Sequence, residues 1–217
     1  MPLIVDHMHP AYLRRWRNSG ANRYNGAYYY SREIKELMIP ELRTDRNFIL
    51  VNQPGVGCDH AVVFIHNNLH IKRYEWLQDY RDLILICGVP DTVRKVRHLG
   101  RAAYLPLSID VRECMRHRRE KDLDVAYVGR RSKRKQYKFD ANVDILEGME
   151  RGRLLDQVAR YRQVYAVGRC AIEARALGCE VLPFDERYPN PELWQVRDSL
   201  EAVPILQEII DKVDRHG

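Results

Sequence analysis

The sequence predicts an α/β protein made of two units, each with a parallel β-sheet covered by helices. Short apolar runs rich in β-branched residues alternate along the chain with stretches of helical spacing. Runs such as residues 61–66 and 82–87 are almost continuously apolar and do not alternate with polar positions. Strands that are buried on both faces have this composition, and they occur in parallel sheets under helices. A repeated strand–helix–strand order is typical of doubly wound folds.

The first half of the chain supplies the elements of an N-terminal domain, which we place at residues 1–111. Strands are predicted over residues 2–5, 47–52, 61–66, 82–87 and 102–107. Helices are predicted over residues 27–39, 74–80 and 89–99. Pro40 ends the first of these helices, because the residue before a proline disfavours the helical backbone.

The second half supplies a C-terminal domain, which we place at residues 112–217. Residues 108–123 are polar and dense in charge, and this composition predicts a linker. Strands are predicted over residues 124–129, 142–148, 163–168 and 179–184, and helices over residues 149–161 and 169–178. A last amphipathic helix is predicted from about residue 190 to Val213, and we expect it to pack back across the domain boundary.

Composition predicts a soluble, cytoplasmic protein with a sizeable core. Hydrophobic residues make up 45% of the chain and charged residues 30%. No apolar stretch approaches the ~20 residues that span a bilayer, and the first residues lack the basic segment and cleavage site of a secretory signal. The five cysteines are odd in number and show no C-x-x-C spacing, so neither a disulfide framework nor a structural zinc site is expected.

Positive charge is concentrated in one part of the chain. The net charge is +6, and eleven Lys or Arg residues stand against four Asp or Glu residues between Arg112 and Lys138. A basic cluster of this kind indicates a phosphate-bearing partner such as a nucleotide, a nucleic acid or a membrane surface. A solvated basic linker is the alternative interpretation.

A strand, a glycine and a helix follow one another at Gly168, and this order predicts a phosphate site. A glycine lets the backbone approach a ligand closely, and the free N–H groups at a helix start attract anions. Arg169 and Cys170 stand in the first turn of the predicted helix, where Arg169 adds a bidentate phosphate donor. Glu173, one turn further on, is placed to accept hydrogen bonds from ribose hydroxyls.

A second glycine follows the first strand of the same predicted domain. Gly129 is followed by the cations Arg130 and Lys135, among others. Ligands of open α/β sheets bind at the carboxyl ends of the strands. We therefore expect Gly129, Arg130 and Lys135 to face the same phosphates as Gly168.

Three segments resemble GT-B glycosyltransferases, and they occur in the order of that family. Residues 124–135, DVAYVGRRSKRK, resemble the start of its C-terminal domain, and residues 148–185 resemble its donor-binding stretch with the E-A-x-A-x-G helix. Residues 83–110 are similar to the close of its N-terminal domain. The resemblance implies two Rossmann-like domains facing a cleft. It also implies hexosyl transfer from a UDP- or GDP-sugar to a hydroxyl, with no metal and no further cofactor.

The chain departs from the family pattern in two respects. It is short, so its N-terminal domain must be pared down, as in a compact phage-type enzyme. The common E-x7-E arrangement is incomplete, because Tyr165 stands eight residues before Glu173 where the family has an acid. The stereochemical outcome of the transfer therefore stays open.

The acceptor is predicted to bind to two polar segments of the N-terminal half. Asn25 and Gly26 precede the helix predicted at residues 27–39, and Asn67 and Asn68 follow the strand predicted at residues 61–66. A modified base in DNA is one acceptor that would fit the basic composition.

The candidate catalytic base is His66, which closes the strand at residues 61–66. Its ordinary pKa, about 6.5, suits the deprotonation of an acceptor hydroxyl. Asp6, at the end of the first predicted strand, is the second candidate.

Two other functions compete with sugar transfer. The segment Asp6-His7-Met8-His9 resembles the H-x-H metal ligands of amidohydrolases, which favours a metal-dependent hydrolase, but the usual barrel needs ~250 residues. A non-catalytic nucleic-acid-binding module would account for the basic cluster. We find no helix-turn-helix, zinc-finger, RRM or KH signature for it.

Overall fold

The computed structural model describes residues 2–6, 26–43, 60–65, 82–129, 142–184 and 190–214. These residues divide into two compact units. Unit 1 comprises residues 2–6, 34–43, 60–65, 82–106 and 200–214. Unit 2 comprises residues 26–33, 107–129, 142–184 and 190–199. Both units are α/β structures with a parallel sheet, so the prediction of an α/β protein with parallel sheets is confirmed.

The sheet of unit 1 has four described strands in chain order. They are β1 (Pro2–Asp6), β2 (His60–Ile65), β3 (Asp82–Cys87) and β4 (Arg101–Tyr104), and every neighbouring pair is parallel. The apolar runs of β2 and β3 are buried, as their composition predicts. Helix α2 (Pro90–Val96) connects β3 to β4, and its proline lies at the first helical position, where the missing N–H is not needed.

One stretch of helix carries the chain from unit 2 into unit 1. Helix α1 (Gly26–Glu33) belongs to unit 2 and continues without a break into a π-helical turn at Ile34–Met38 and a 3-10 turn at Ile39–Glu41. The helix predicted at residues 27–39 is therefore present but changes its hydrogen bonding at Ile34. Single π-helical turns occur often at functional sites.

The sheet of unit 2 also has four described strands, and their order differs from their order in the chain. They are β5 (Leu123–Val128), β6 (Asp144–Leu146), β7 (Tyr161–Tyr165) and β8 (Glu180–Leu182), arranged as β6-β5-β7-β8 with all pairs parallel. The helices are α3 (Val111–Met115), α4 (Arg151–Val158) and α5 (Arg169–Ala176).

This strand order creates a topological switch point in unit 2. The chain moves from β5 to β6 on one side and then returns to β7 on the other side of β5. Connections on the two sides of β5 therefore run in opposite directions, and in open α/β sheets ligands bind outside the carboxyl ends of the strands at such a point. We call the carboxyl ends of β5 and β7, with Gly129 and Gly168, the switch edge.

The linker predicted at residues 108–123 is wrong. Ser108 and Ile109 are fully buried, and Ile109 forms a parallel bridge with Asp198. The segment then forms α3, whose first turn is capped by the Asp110 side chain accepting from the Glu113 N–H. Its polar composition reflects caps and ion pairs within unit 2.

The C-terminal helix begins later than predicted. A 3-10 turn at Pro191–Leu193 is followed by non-helical residues, and helix α6 covers Val203–Asp214. Helix α6 belongs to unit 1, and α1 belongs to unit 2. The residue ranges of the two units therefore differ from those of the domains placed at 1–111 and 112–217. The strand predicted at 47–52 and the helix predicted at 74–80 lie outside the described residues.

Within the part of the chain that the structure describes, no helix has the length and apolar character needed to cross a lipid bilayer.

Candidate functional site at the switch edge

Both strands at the switch edge are followed by a glycine with a positive φ. Gly129 follows β5 with φ of 137°, and Gly168 precedes α5 with φ of 64°. L-amino acids rarely adopt such angles, so each turn requires glycine. A Cβ placed on Gly168 would meet no atom of the other described residues within 4 Å, so the backbone there has open space among them.

Helix α5 begins at this open turn. The carbonyl of Gly168 accepts from the N–H groups of Ala171 and Ile172 at 3.0 and 3.2 Å, and no described side chain caps the helix start. The amide groups and dipole at such a helix start favour an anion. Cys170, in the first turn, is half-buried. This turn is the position at which the sequence predicts a phosphate site.

Three aromatic rings lie at the carboxyl ends of β5, β7 and β8. Tyr127 and Tyr165 are register partners in the two adjacent strands. The Phe184 ring packs edge-on against both, with centroids 5.5 Å from Tyr127 and 6.3 Å from Tyr165. Tyr127 is buried, whereas Tyr165 and Phe184 are half-buried. Tyr165, which occupies the position of the first acid in the E-x7-E arrangement of the GT-B pattern, is therefore part of a cluster of aromatic rings.

Arg169 and Glu173 point into unit 2. Their exposed fractions are only 6% and 2%. The Arg169 Nε donates to Glu173 Oε1 at 3.0 Å, and its two terminal nitrogens donate to the two oxygens of Glu33, with Nη1 to Oε2 at 2.9 Å. The two residues that were predicted to bind phosphate and ribose, Arg169 and Glu173, thus contact each other. Arg169 also contacts Glu33, which no sequence motif indicated.

Arg151, the first residue of α4, completes this arrangement. It is 2% exposed. Its Nε and Nη2 donate to Glu173 Oε1 at 3.3 and 3.1 Å, and its Nη1 donates to Glu113 Oε2. The guanidinium lies 4.7 Å from the centre of the Tyr29 ring, which adds a cation–π contact.

We call Glu33, Glu113, Arg151, Arg169 and Glu173 the buried ionic cluster. It holds three carboxylates and two guanidinium groups, with Arg32 lying 4.0 Å from Glu113 at its border. Removal of a charge from water is costly, so each member depends on its partners.

The Glu33 carboxylate accepts hydrogen bonds from other groups in addition to its ion pair with Arg169. Besides Arg169, the Ser199 hydroxyl donates at 3.2 Å and the Asp110 backbone N–H at 3.1 Å, and the Arg151 Nη2 lies 3.7 Å away. Ser199 Oγ and Ser108 Oγ are 3.2 Å apart. Burial raises the pKa of the Glu33 carboxyl, and the charges of Arg169 and Arg151 act in the opposite direction.

One signal in the sequence could have indicated this cluster. Arg151 and Arg169 are both the first residues of helices. A cation is unfavourable at the positive end of a helix dipole, so an arginine there indicates a specific acidic partner. Glu33, Ser108 and Ser199 give no such signal because their partners are remote in the chain.

The remaining predicted site residues are only partly described. Gly26 is the first residue of α1, and Asp6 is the last residue of β1. The others lie outside the described residues: His7, His9, Asn25, His66, Asn67, Asn68, Arg130 and Lys135. Among the residues that the structure does describe, no group of three or more His, Cys, Asp or Glu side chains is arranged to hold a metal ion.

Comparisons of the chain with protein-family models, with characterised proteins and with solved structures gave no match.

Proposed function

We propose that the chain is a glycosyltransferase of GT-B type that transfers a hexose from a UDP- or GDP-sugar to a hydroxyl group. One observation carries the proposal. Two glycine turns with positive φ, at Gly129 and Gly168, stand at the switch point of a parallel sheet. Nucleotides bind in the crevice outside the carboxyl ends of strands at such a point.

In this proposal the donor diphosphate binds to the backbone of the switch edge. The N–H groups of Arg169 and Cys170 receive one phosphate at the start of α5, where Gly168 leaves the space for it. Arg130 and Lys135 follow Gly129 in the sequence and supply positive charge to the second phosphate. The half-buried rings of Tyr165 and Phe184 offer an apolar surface at the carboxyl ends of β7 and β8.

The depth of Arg169 and Glu173 changes the role that we assign to them. A side chain that is 6% or 2% exposed meets a ligand only after rearrangement. We therefore propose that both residues hold the first turn of α5 from inside unit 2, while the backbone of that turn contacts the nucleotide.

The acceptor and the base are proposed from unit 1 and from the start of α1. His66 directly follows β2 in the sequence, and Asp6 ends the neighbouring strand β1, paired in register with Phe64. Carboxyl ends of parallel strands meet at one edge of a sheet, so both are candidates for the general base. Asn25, Gly26, Asn67 and Asn68 are proposed to bind the acceptor, and a base in DNA is one candidate acceptor.

A thermal-shift screen tests the proposal first. UDP, GDP, ADP and CMP are added in turn, and a ligand at 100 times its Kd should stabilise the fold by about 2.7 kcal/mol. We expect UDP or GDP to raise the melting temperature. If no nucleotide does so, the proposal fails, and DNA binding at graded salt then tests the nucleic-acid-binding alternative.

A charge placed at Cys170 tests the location of the phosphates. Cys170→Asp puts a negative charge in the first turn of α5, where the helix dipole tolerates it, so the variant should fold. Repulsion between unit charges 4 Å apart is about 1 kcal/mol in water and about 4 kcal/mol near a protein surface. Nucleotide diphosphate affinity should therefore fall about tenfold or more. Cys170→Ser is the neutral control, and equal affinity in the two variants would exclude this turn.

A further inference from the structure

The most unusual feature of unit 2 is the buried carboxylate of Glu33, whose hydrogen bonds all come from groups of the protein within the described residues. Its carboxylate is 1% exposed, and it accepts from both terminal nitrogens of Arg169, from the Ser199 hydroxyl and from the Asp110 backbone N–H. Such a set of donors would bind a free carboxylate or phosphate. Here α1 fills the site with its own last residue.

Glu33 holds Arg169, the first residue of α5, by accepting hydrogen bonds from its guanidinium group. Arg169 directly follows the open turn at Gly168, and its guanidinium is held between Glu33 and Glu173 Oε1. The same Glu173 oxygen accepts from Arg151, the first residue of α4. A chain of charge-assisted hydrogen bonds therefore fixes the starts of two helices that follow strands of the unit 2 sheet.

We propose that Glu33 is a positioning residue of the nucleotide site. It does not touch the nucleotide. It holds Arg169 inside unit 2, so that the Gly168 turn and the first N–H groups of α5 keep a fixed geometry toward the diphosphate. This inference rests on the proposed function. Glu33 also ends the helix that Gly26 begins, so the same contact ties the predicted acceptor segment to the donor turn.

A positioning role differs measurably from a purely structural one. A structural residue lowers the melting temperature but leaves the folded protein with its full affinity. Glu33→Gln keeps the shape of the side chain, but it removes the negative charge and turns an N–H₂ group toward Arg169. Arg169 then loses its bidentate hydrogen bonds to Glu33, and the Gly168 turn before it is no longer held in a fixed position.

The test is calorimetric titration with UDP, well below the melting temperature of each variant. We expect Glu33→Gln to raise the Kd of UDP about tenfold, the usual range for the loss of a charge-assisted contact. Leu155→Ala is the matched control, because it opens a cavity in the core of the same unit and leaves every charged group of the cluster in place. It should lose stability and keep the wild-type Kd.

A second readout uses Glu33→Ala with added formate or acetate. Either anion should occupy the vacated set of donors, raise the melting temperature and restore UDP affinity together. If neither Glu33 variant folds, Ser199→Ala removes one hydrogen bond from the same carboxylate, and the Kd should rise by about two- to tenfold.

Two negative results are distinguishable. If the wild-type protein binds UDP and Glu33→Gln binds it equally well, Glu33 is structural only and this inference fails. If the wild-type protein binds none of UDP, GDP, ADP and CMP, the proposed function fails, and the inference fails with it.

Discussion

Replacement of Arg151 by methionine should destabilise unit 2 strongly. Methionine fills a similar volume and is a good helix former, so the change removes charge and hydrogen bonds with little change in packing. Among the described residues, the carboxylates of Glu173, Glu113 and Glu33 would then keep only two cationic partners, the guanidinium of Arg169 and the border contact of Arg32. The cation–π contact with Tyr29 would also be lost.

The size of the effect follows from the burial of Arg151. Arg151 is 2% exposed, and its partners Glu173 and Glu33 are equally buried, so these two carboxylates cannot recover their lost interactions from water. Glu113, with 28% of its side chain accessible, can do so in part. Breaking a buried ion pair by removal of one partner costs about 3–5 kcal/mol. A chain of this length loses about 2–4 °C of melting temperature per kcal/mol, so the variant should melt about 6–20 °C lower.

Urea and thermal unfolding followed by circular dichroism measure this difference. Arg162→Met is the control, because the Arg162 ion pair with Asp124 is exposed, with 58% of the arginine side chain accessible. It should change the free energy of unfolding by at most about 1 kcal/mol.

A second substitution gives the sharper test. Glu173→Leu added to Arg151→Met removes the carboxylate that lost two of its three arginine hydrogen bonds. It also removes the Arg169 Nε contact with Glu173, but it leaves the Arg169–Glu33 pair in place. The double variant should be more stable than Arg151→Met alone, because a buried ion pair replaced by apolar groups is often neutral. A single variant within about 1 kcal/mol of wild type, or a double variant less stable than the single one, would refute the electrostatic argument.

Two further predictions concern other parts of the fold. Burial raises the pKa of Cys87 to about 12 from an ordinary value of 9.0, so only the unfolded chain loses this proton between those pH values. The free energy of unfolding should therefore fall as pH rises above 9.0, and Cys87→Ala should reduce the slope by up to about 1.4 kcal/mol per pH unit in urea titrations. An unchanged slope would contradict this assignment. Gly178→Ala should cost about 1–2 kcal/mol, because φ is 84° and the new Cβ would lie 3.3 Å from Arg118 Nη2. Gly152→Ala, at the second residue of α4, has a similar contact of 3.3 Å, with Glu150 Oε2, but no positive φ, so it should cost less than Gly178→Ala. Equal losses of stability in thermal melts would count against the backbone argument.

The strands and the glycine turns could be predicted because their signals are local. The apolar run at residues 82–87 coincides with β3, and its burial follows directly from its composition. Gly129 and Gly168 could be located as turns because each follows an apolar run and precedes cations. Local patterning of this kind determines which elements form and which strand ends carry glycine.

The buried ionic cluster could not be predicted because its members come together only in the folded chain. Glu33 and Arg169 are 136 residues apart, and no periodic pattern relates them. The same reason explains the wrong linker. Ser108 and Ile109 look exposed in a charged segment, but Asp198 and Ser199 cover them from far along the chain.

The passage of the chain between the two units has a consequence for its synthesis on the ribosome. Unit 2 requires residues 26–33 together with residues up to 199, and unit 1 requires residues 2–6 together with α6 at Val203–Asp214. Many multidomain proteins fold their N-terminal domain while the rest is still being made. Here β1 and β2 are translated long before α6. Helix α1 is likewise translated long before Arg169, the residue that pairs with Glu33 at its end. Unit 2 is complete only when residue 199 has been made, and unit 1 only when α6 has been made. The early segments must therefore stay unaggregated, or be held by a chaperone, until then.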